Sequence, residues 1–161
     1  MDNREKALVA LKQKLGNSVH TKENELYAVS YDGLKVSGSP QALIKVQQAA
    51  DVGEVLRLAN EFSVPVTSRG TGSSLTGGAT PYQGGWVLDL SQLSSLEIDP
   101  TNMLARCGPG VVVGDLQEKV LEKGLFYPPD PSSKKFCTLG GNVACNAGGL
   151  RCVKYGVTRD Y

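Results

Sequence analysis

Apolar residues recur at helical spacing at the start of the chain: Ala7, Leu8, Leu11 and Leu15 share one face, Arg4, Lys12 and Lys14 lie on others, and Gly16 stops the run. This pattern predicts an amphipathic N-terminal helix. A polar connection follows through Tyr31 and Gly38, and Pro40 punctuates it before an apolar strand over Ala42–Val46. Asp51 is the expected cap of a second helix, with Val52, Val55, Leu56, Leu58, Ala59 and Phe62 as its buried stripe. Val64–Thr67 then reads as a strand. Strand, helix and strand together predict a βαβ unit. Further strands are expected at Trp86–Leu90, Leu96–Asp99 and Leu104–Cys107, and a third helix from about Val113 to Lys123, ended by Gly124.

Two segments break this regularity. Residues 69–85 read Arg-Gly-Thr-Gly-Ser-Ser-Leu-Thr-Gly-Gly-Ala-Thr-Pro-Tyr-Gln-Gly-Gly, six glycines in seventeen positions, which sustains neither helix nor strand. A strand that runs into such a loop is a candidate anion cradle, because small residues let several backbone N–H groups converge while Ser and Thr hydroxyls add donors; Arg69 adds a positive charge. Two known phosphate motifs fail here. A dinucleotide fingerprint begun at Gly70 meets Leu75 in place of its third glycine, and Thr80-Pro81 follows instead of a helix. A P-loop begun at Gly72 reaches Gly77 but has Gly78-Ala79 where Lys and Ser or Thr are required.

The second segment, Thr138–Gly149, interleaves Asn142 and Asn146 with Gly and Ala, and is expected to be a loop that approaches a flat ligand closely. Side-chain amides offer donors and acceptors suited to the edge of a heteroaromatic ring such as a flavin, and backbone N–H groups stabilise negative charge on it. Pro128-Pro129-Asp130-Pro131 stiffens the approach. Plain turns and helix caps at Asn142 and Asn146, an ion pair at Arg69 and a cap at Asp130 are the structural alternatives. Trp86 and the tyrosines read as core or rim.

Composition narrows the classes. With 17 Lys and Arg against 16 Asp and Glu, a net charge of +1 and a pI near 7.6, no basic face for nucleic acid is expected. No stretch approaches the roughly 20 apolar residues of a membrane span, and the charged N-terminus is unlike a signal peptide, so the expected address is cytoplasmic, peripheral to a membrane only through partners. His20, the single histidine, reads as a surface residue, and no metal site is expected. Cys107, Cys137, Cys145 and Cys152 have gaps of 30, 8 and 7 residues, which match neither a zinc ribbon nor an iron–sulfur pattern. They read as reduced, mostly buried thiols, one or two of them lining a pocket.

In order and spacing, the blocks Pro65–Gly78, Gly85–Leu90, Pro128–Ser133, Thr138–Gly149 and Tyr155–Tyr161 resemble the flavin-binding domain of the vanillyl-alcohol oxidase and p-cresol methylhydroxylase superfamily, within it the D-2-hydroxyacid dehydrogenases typified by the glycolate oxidase catalytic subunit. The resemblance covers Ala42–Tyr161. It implies an α+β fold of the p-cresol methylhydroxylase type with two α/β subdomains: residues 1–41 as an N-terminal helix and connection, about 42–101 as the first subdomain, and about 102–161 as the start of a second that is incomplete at its C-terminus. It implies FAD extended between the subdomains. Arg69, Gly70, Thr71, Gly72, Ser73, Ser74, Thr76 and Gly77 would lie at its pyrophosphate, Pro129, Asp130, Thr138, Gly141, Asn142 and Asn146 along its ribityl chain and ring, and Gly156 would also bind the cofactor. Covalent attachment in such proteins uses His or Cys, commonly near the pyrophosphate loop, where Gly70 and Thr71 stand here, so non-covalent FAD is expected. The implied reaction is oxidation of a D-2-hydroxy acid to a 2-oxo acid, with an electron-acceptor protein or quinone and possible partner subunits. The catalytic and metal-binding residues are expected beyond Tyr161. Related oxidases of a sugar lactone, a phenol or an alkyl-glycerone phosphate, and a non-catalytic interaction module on the same fold, are the alternatives.

Overall fold

The computed structural model describes residues 2–161. They form two compact units, one ending at Gln92 and the other spanning Leu93–Tyr161.

The first unit opens with α1 (Asn3–Leu15). Asp2 caps it: its carboxylate accepts from Glu5 N–H at 2.8 Å while the Glu5 carboxylate accepts from Asp2 N–H at 3.0 Å. Gly16 ends the helix at φ +49°. Ala7 and Leu11 are fully buried, and Asn3 Nδ2 donates to Phe62 O at 2.9 Å, which ties α1 to α3 (Ala49–Phe62). The expected polar connection contains two short elements, β1 (Val19–His20) and α2 (Glu23–Val29). Leu26 and Val29 of α2 cover Leu43 and Val87, an apolar pair too short to register as a periodic stripe. His20 is half-buried and bonds Glu25 Oε1 through Nδ1 at 2.9 Å.

The sheet comprises β1, β2 (Ala42–Lys45), β3 (Val66–Arg69) and β4 (Trp86–Asp89) in the order β1-β2-β4-β3. β2 and β3 both run parallel to β4, which is inserted between them, and β1 is antiparallel at the edge. Ala42, Leu43 and Ile44, like Trp86, Val87 and Leu88, are buried at every successive position, as parallel strands covered on both faces must be. α3 starts earlier than expected. Gln48 occupies the N-cap, and Asp51 lies inside the first turn, reaching back to Gln47 N–H at 3.3 Å and Gln48 Nε2 at 3.0 Å.

Gly53 sits on the exposed face of α3 with open space around its α-carbon. Gly53→Ala is expected to stabilise the chain by about 0.5–1 kcal/mol through lost unfolded-state entropy, raising Tm by about 2–5 °C in a thermal melt.

In the second unit β5 (Leu96–Asp99) and β6 (Leu104–Cys107) form an antiparallel hairpin. α4 (Val113–Leu121) buries Leu116 and Val120 with Val111 against Leu96, Ile98, Leu125 and Leu139. The segment expected to be a glycine-rich loop is a helix over much of its length, α5 (Leu139–Cys145). Its glycines serve close packing: a β-carbon on Gly140 would stand 2.7 Å from Pro109 Cβ. α6 (Cys152–Tyr155) and a final 3₁₀ turn, Thr158–Asp160, close the unit. Of the cysteines, Cys137 is buried, Cys107 and Cys152 are half-buried and Cys145 is exposed. Among the described residues no helix is long and apolar enough to cross a membrane.

Candidate functional site

The glycine-rich loop leaves the carboxyl end of β3, in register with Asp89 at the end of β4. Gly72 and Gly77 adopt φ of +70° and +75°, the left-handed region, where any side chain is strained. A β-carbon on Gly72 would run into the Arg69 guanidinium, and one on Gly77 into the Tyr82 hydroxyl. The loop folds back at Thr80, whose N–H donates to Gly77 O at 3.1 Å. Ser74 Oγ and Thr76 Oγ1 pair at 2.7 Å, and Thr76 N–H donates to Ser74 Oγ at 3.2 Å. Among the described residues, no carbonyl or side chain accepts from the N–H groups of Gly70, Thr71, Gly72 or Ser73. Four successive donors without an internal partner are what an anion cradle requires.

Arg69 has a different place from the one its charge suggests. Its side chain is buried and Nη1 donates to Tyr31 O at 2.8 Å and Ala79 O at 3.2 Å, so the guanidinium closes the base of the loop and lies against Gly72. Burial pulls its pKa below the ordinary value, while the carboxylates of Asp32 and Asp89 act in the opposite direction. Beside Gly70 and Thr71 opens a cleft of about 520 Å³, lined by Val29, Leu43, Lys45, Arg69, Asp89 and Ser91 among others. It lies at the carboxyl ends of parallel strands, the usual place for ligands in such sheets.

The second unit gathers the remaining residues. Pro129 is fully buried, and Gln117 Nε2 holds the stretch by donating to Tyr127 O at 3.2 Å and Pro129 O at 2.8 Å. Asp130 accepts from Arg151 N–H at 3.2 Å and pairs with Arg151 Nε at 3.5 Å, with Gly149 packed tightly against it. Thr138 is buried at the N-cap of α5, bridged to Val112. Gly141 is exposed on the first turn. Asn142 is only 3% exposed, and its Nδ2 has no hydrogen-bond partner. Such an orphaned donor costs free energy unless something outside the protein accepts from it. Asn146 caps α5 in the left-handed region and accepts Arg159 N–H on Oδ1 at 2.9 Å. Gly156, at φ +85°, packs against the Asp160 carboxylate.

The site residues thus fall into two groups, the loop from Arg69 to Gly77 in the first unit and Pro129–Gly156 in the second. Sequence reasoning did not find Tyr31, Asp32 or Thr158. Thr158 is buried and donates through Oγ1 to Ala147 O at 2.6 Å, fastening the end of the chain to the α5 terminus. The Asp32-Gly33 dipeptide is a turn signal in the sequence.

The model of the family described as "FAD binding domain" matches residues 40–161. The chain is 46% identical over 134 residues to the glycolate oxidase subunit GlcD of Bacillus subtilis, an alignment covering 82% of this chain and 28% of that protein. It is 41% identical over 135 residues to D-lactate dehydrogenase of Anaerostipes hadrus, again 82% of this chain and 28% of the relative. The chain therefore spans under a third of the length of these relatives. The structure of p-cresol methylhydroxylase superposes with a TM-score of 0.78 at 24% identity, over 90% of this chain and 30% of that one. That likeness shows the fold, with mixed α and β content of the p-cresol methylhydroxylase type.

Proposed function

Because the chain belongs to the FAD-binding domain family, we propose that it is the FAD-binding portion of a flavin-dependent oxidoreductase that oxidises a D-2-hydroxy acid of the glycolate or D-lactate type to the 2-oxo acid. The observation that carries the cofactor assignment is the run of four free N–H groups from Gly70 to Ser73, in a loop where a side chain at Gly72 would be strained and would displace the Arg69 guanidinium. These donors, with the Arg69 charge behind Gly72, would hold the pyrophosphate. In the second unit Asn142 Nδ2, buried and unpaired, supplies a donor suited to an acceptor on the flavin edge. Pro129, Asp130 and Thr138 would fix the backbone beside it. FAD supplies the hydride acceptor, and the protein's share is orientation and electrostatics.

The substrate class is supported by the two relatives named for glycolate and D-lactate, both above 40% identity. Attachment is non-covalent in this reading, since residues 69–85 contain neither His nor Cys. Reoxidation would fall to a quinone or an acceptor protein.

An absorption spectrum of the chain mixed with FAD and freed of excess, recorded before and after denaturation, tests the cofactor assignment. The flavin band should travel with the folded chain and pass into the filtrate once it is denatured. Flavin retained by denatured protein would exclude non-covalent attachment, and a folded chain that ignores FAD would remove the assignment itself.

A further inference from the structure

The stretch from Ser30 to Gln41 carries none of the glycine-rich chemistry, and nearly all of it precedes the region matched by the family model, which begins at residue 40. It is nevertheless stitched along its length to the Gly70–Gly85 loop. Gly33 N–H donates to Gly72 O at 3.0 Å, Ser39 N–H to Pro81 O at 3.3 Å, and Gln41 N–H to Gly85 O at 2.7 Å. In the other direction Arg69 Nη1 donates to Tyr31 O. The contacts are also steric. A β-carbon on Gly33 would stand 2.7 Å from Ser74 O and 3.0 Å from Ser73 O, and one on Gly38 would strike the Pro81 backbone.

Asp32 lies at the centre of this strap, 3% exposed. Its Oδ1 accepts Leu34 N–H at 3.0 Å, and its Oδ2 has no hydrogen-bond partner. A buried carboxylate with one empty oxygen is costly unless a cation compensates it. Asp32 is foremost among the charges that oppose the effect of burial on the Arg69 guanidinium. The strap therefore grips the loop at the Gly72 carbonyl, the carbonyls of Ser73 and Ser74, and the arginine beneath Gly72. The Gly72 carbonyl shares its peptide unit with the Ser73 N–H, one of the four donors without a partner, and the Ser73 and Ser74 carbonyls follow it directly in the chain. A glycine-rich backbone has no stiffness of its own to keep such donors converged.

We infer that residues 30–41 are a positioning element for the cofactor site, in which Gly33 and Asp32 set the placement of the Gly70–Ser74 backbone and so the affinity for a pyrophosphate-bearing ligand, without touching that ligand. The inference rests on the FAD reading above and adds a determinant outside the glycine-rich loop.

The test titrates the whole chain with FAD and, separately, with ADP, which carries the pyrophosphate but no flavin. Gly33→Ala forces the Ser73 and Ser74 carbonyls to move by tenths of an ångström. It should weaken FAD and ADP by the same factor, about tenfold, as expected when oriented donors are displaced on that scale. Asp32→Asn keeps the shape and the bond to Leu34 but removes the negative charge that acts on Arg69, and should weaken both ligands about threefold or more. Gly53→Ala, on the far exposed face of α3, should change neither. If Gly33→Ala fails to fold, Asp32→Asn carries the test. Wild-type affinity for ADP in Asp32→Asn and in folded Gly33→Ala would overturn the positioning role while leaving the FAD reading intact, as would a loss confined to FAD. A wild-type chain that binds neither ligand would overturn both.

Discussion

Gly72→Asp and Gly77→Asp are each expected to lower the affinity of the chain for FAD by about 100-fold or more while leaving its far-UV circular dichroism unchanged. At φ of +70° and +75° any side chain adds strain of about 1–3 kcal/mol. At Gly72 the new atoms also meet the Arg69 guanidinium and turn a carboxylate toward it, so the charge behind the loop is neutralised from the protein's own side. At Gly77 they meet the Tyr82 hydroxyl and shift the turn that returns the chain to Thr80. In both variants a negative group enters the site proposed for the pyrophosphate. Flavin fluorescence titration reads the change directly. Unaltered affinity in both variants would place the pyrophosphate somewhere other than this loop.

Trp86→Ala is expected to remove about 3–5 kcal/mol of stability, a large part of the 5–15 kcal/mol typical of a domain. Trp86 is 1% exposed and stands opposite Ala42 on one side and Val66 on the other, at the start of the central strand. Neither neighbour is large enough to fill the space that the indole leaves. A thermal or urea melt should show Tm lower by about 10 °C or more. Because β4 lies between β2 and β3, its loosening also frees Arg69 at the neighbouring strand end, so FAD binding should weaken in proportion to the unfolded fraction. A variant melting with the wild type would show that the indole contributes nothing to this core.

Helix α1, the hairpin strands β5 and β6, and helix α4 were legible because each follows from a local rule. Leu8, Leu11 and Leu15 repeat at helical spacing and Gly16 stops them; Val113, Leu116 and Val120 do the same before Gly124. The glycine-rich loop was legible for the converse reason, since no regular element tolerates six glycines in seventeen residues. Helix α5 was not legible. Gly140, Gly141 and Asn142 are poor helix formers, and the helix is held from outside by Leu139 N–H on Val111 O at 2.7 Å and Gly140 N–H on Pro109 O at 2.9 Å, from a segment far back in the chain. Helix α2 escaped for a related reason: its two apolar residues matter only because Leu43 and Val87 lie beneath them.

The sequence by itself determined the family and the class of cofactor, because the order and spacing of its glycine, proline and asparagine blocks are distinctive. Tertiary structure alone decided how that loop is held. The charge of Arg69 was visible in the sequence, but its burial and its bonds to Tyr31 and Ala79 were not, nor was the stitching of Gly33 to Gly72 or the unpaired amide of Asn142. The physical reason is range. Backbone propensity and periodicity act over a few residues and are written locally, whereas the partner of a buried polar group is selected by the packing of segments that are far apart in the chain, as Tyr31 and Gly33 are from Arg69 and Gly72.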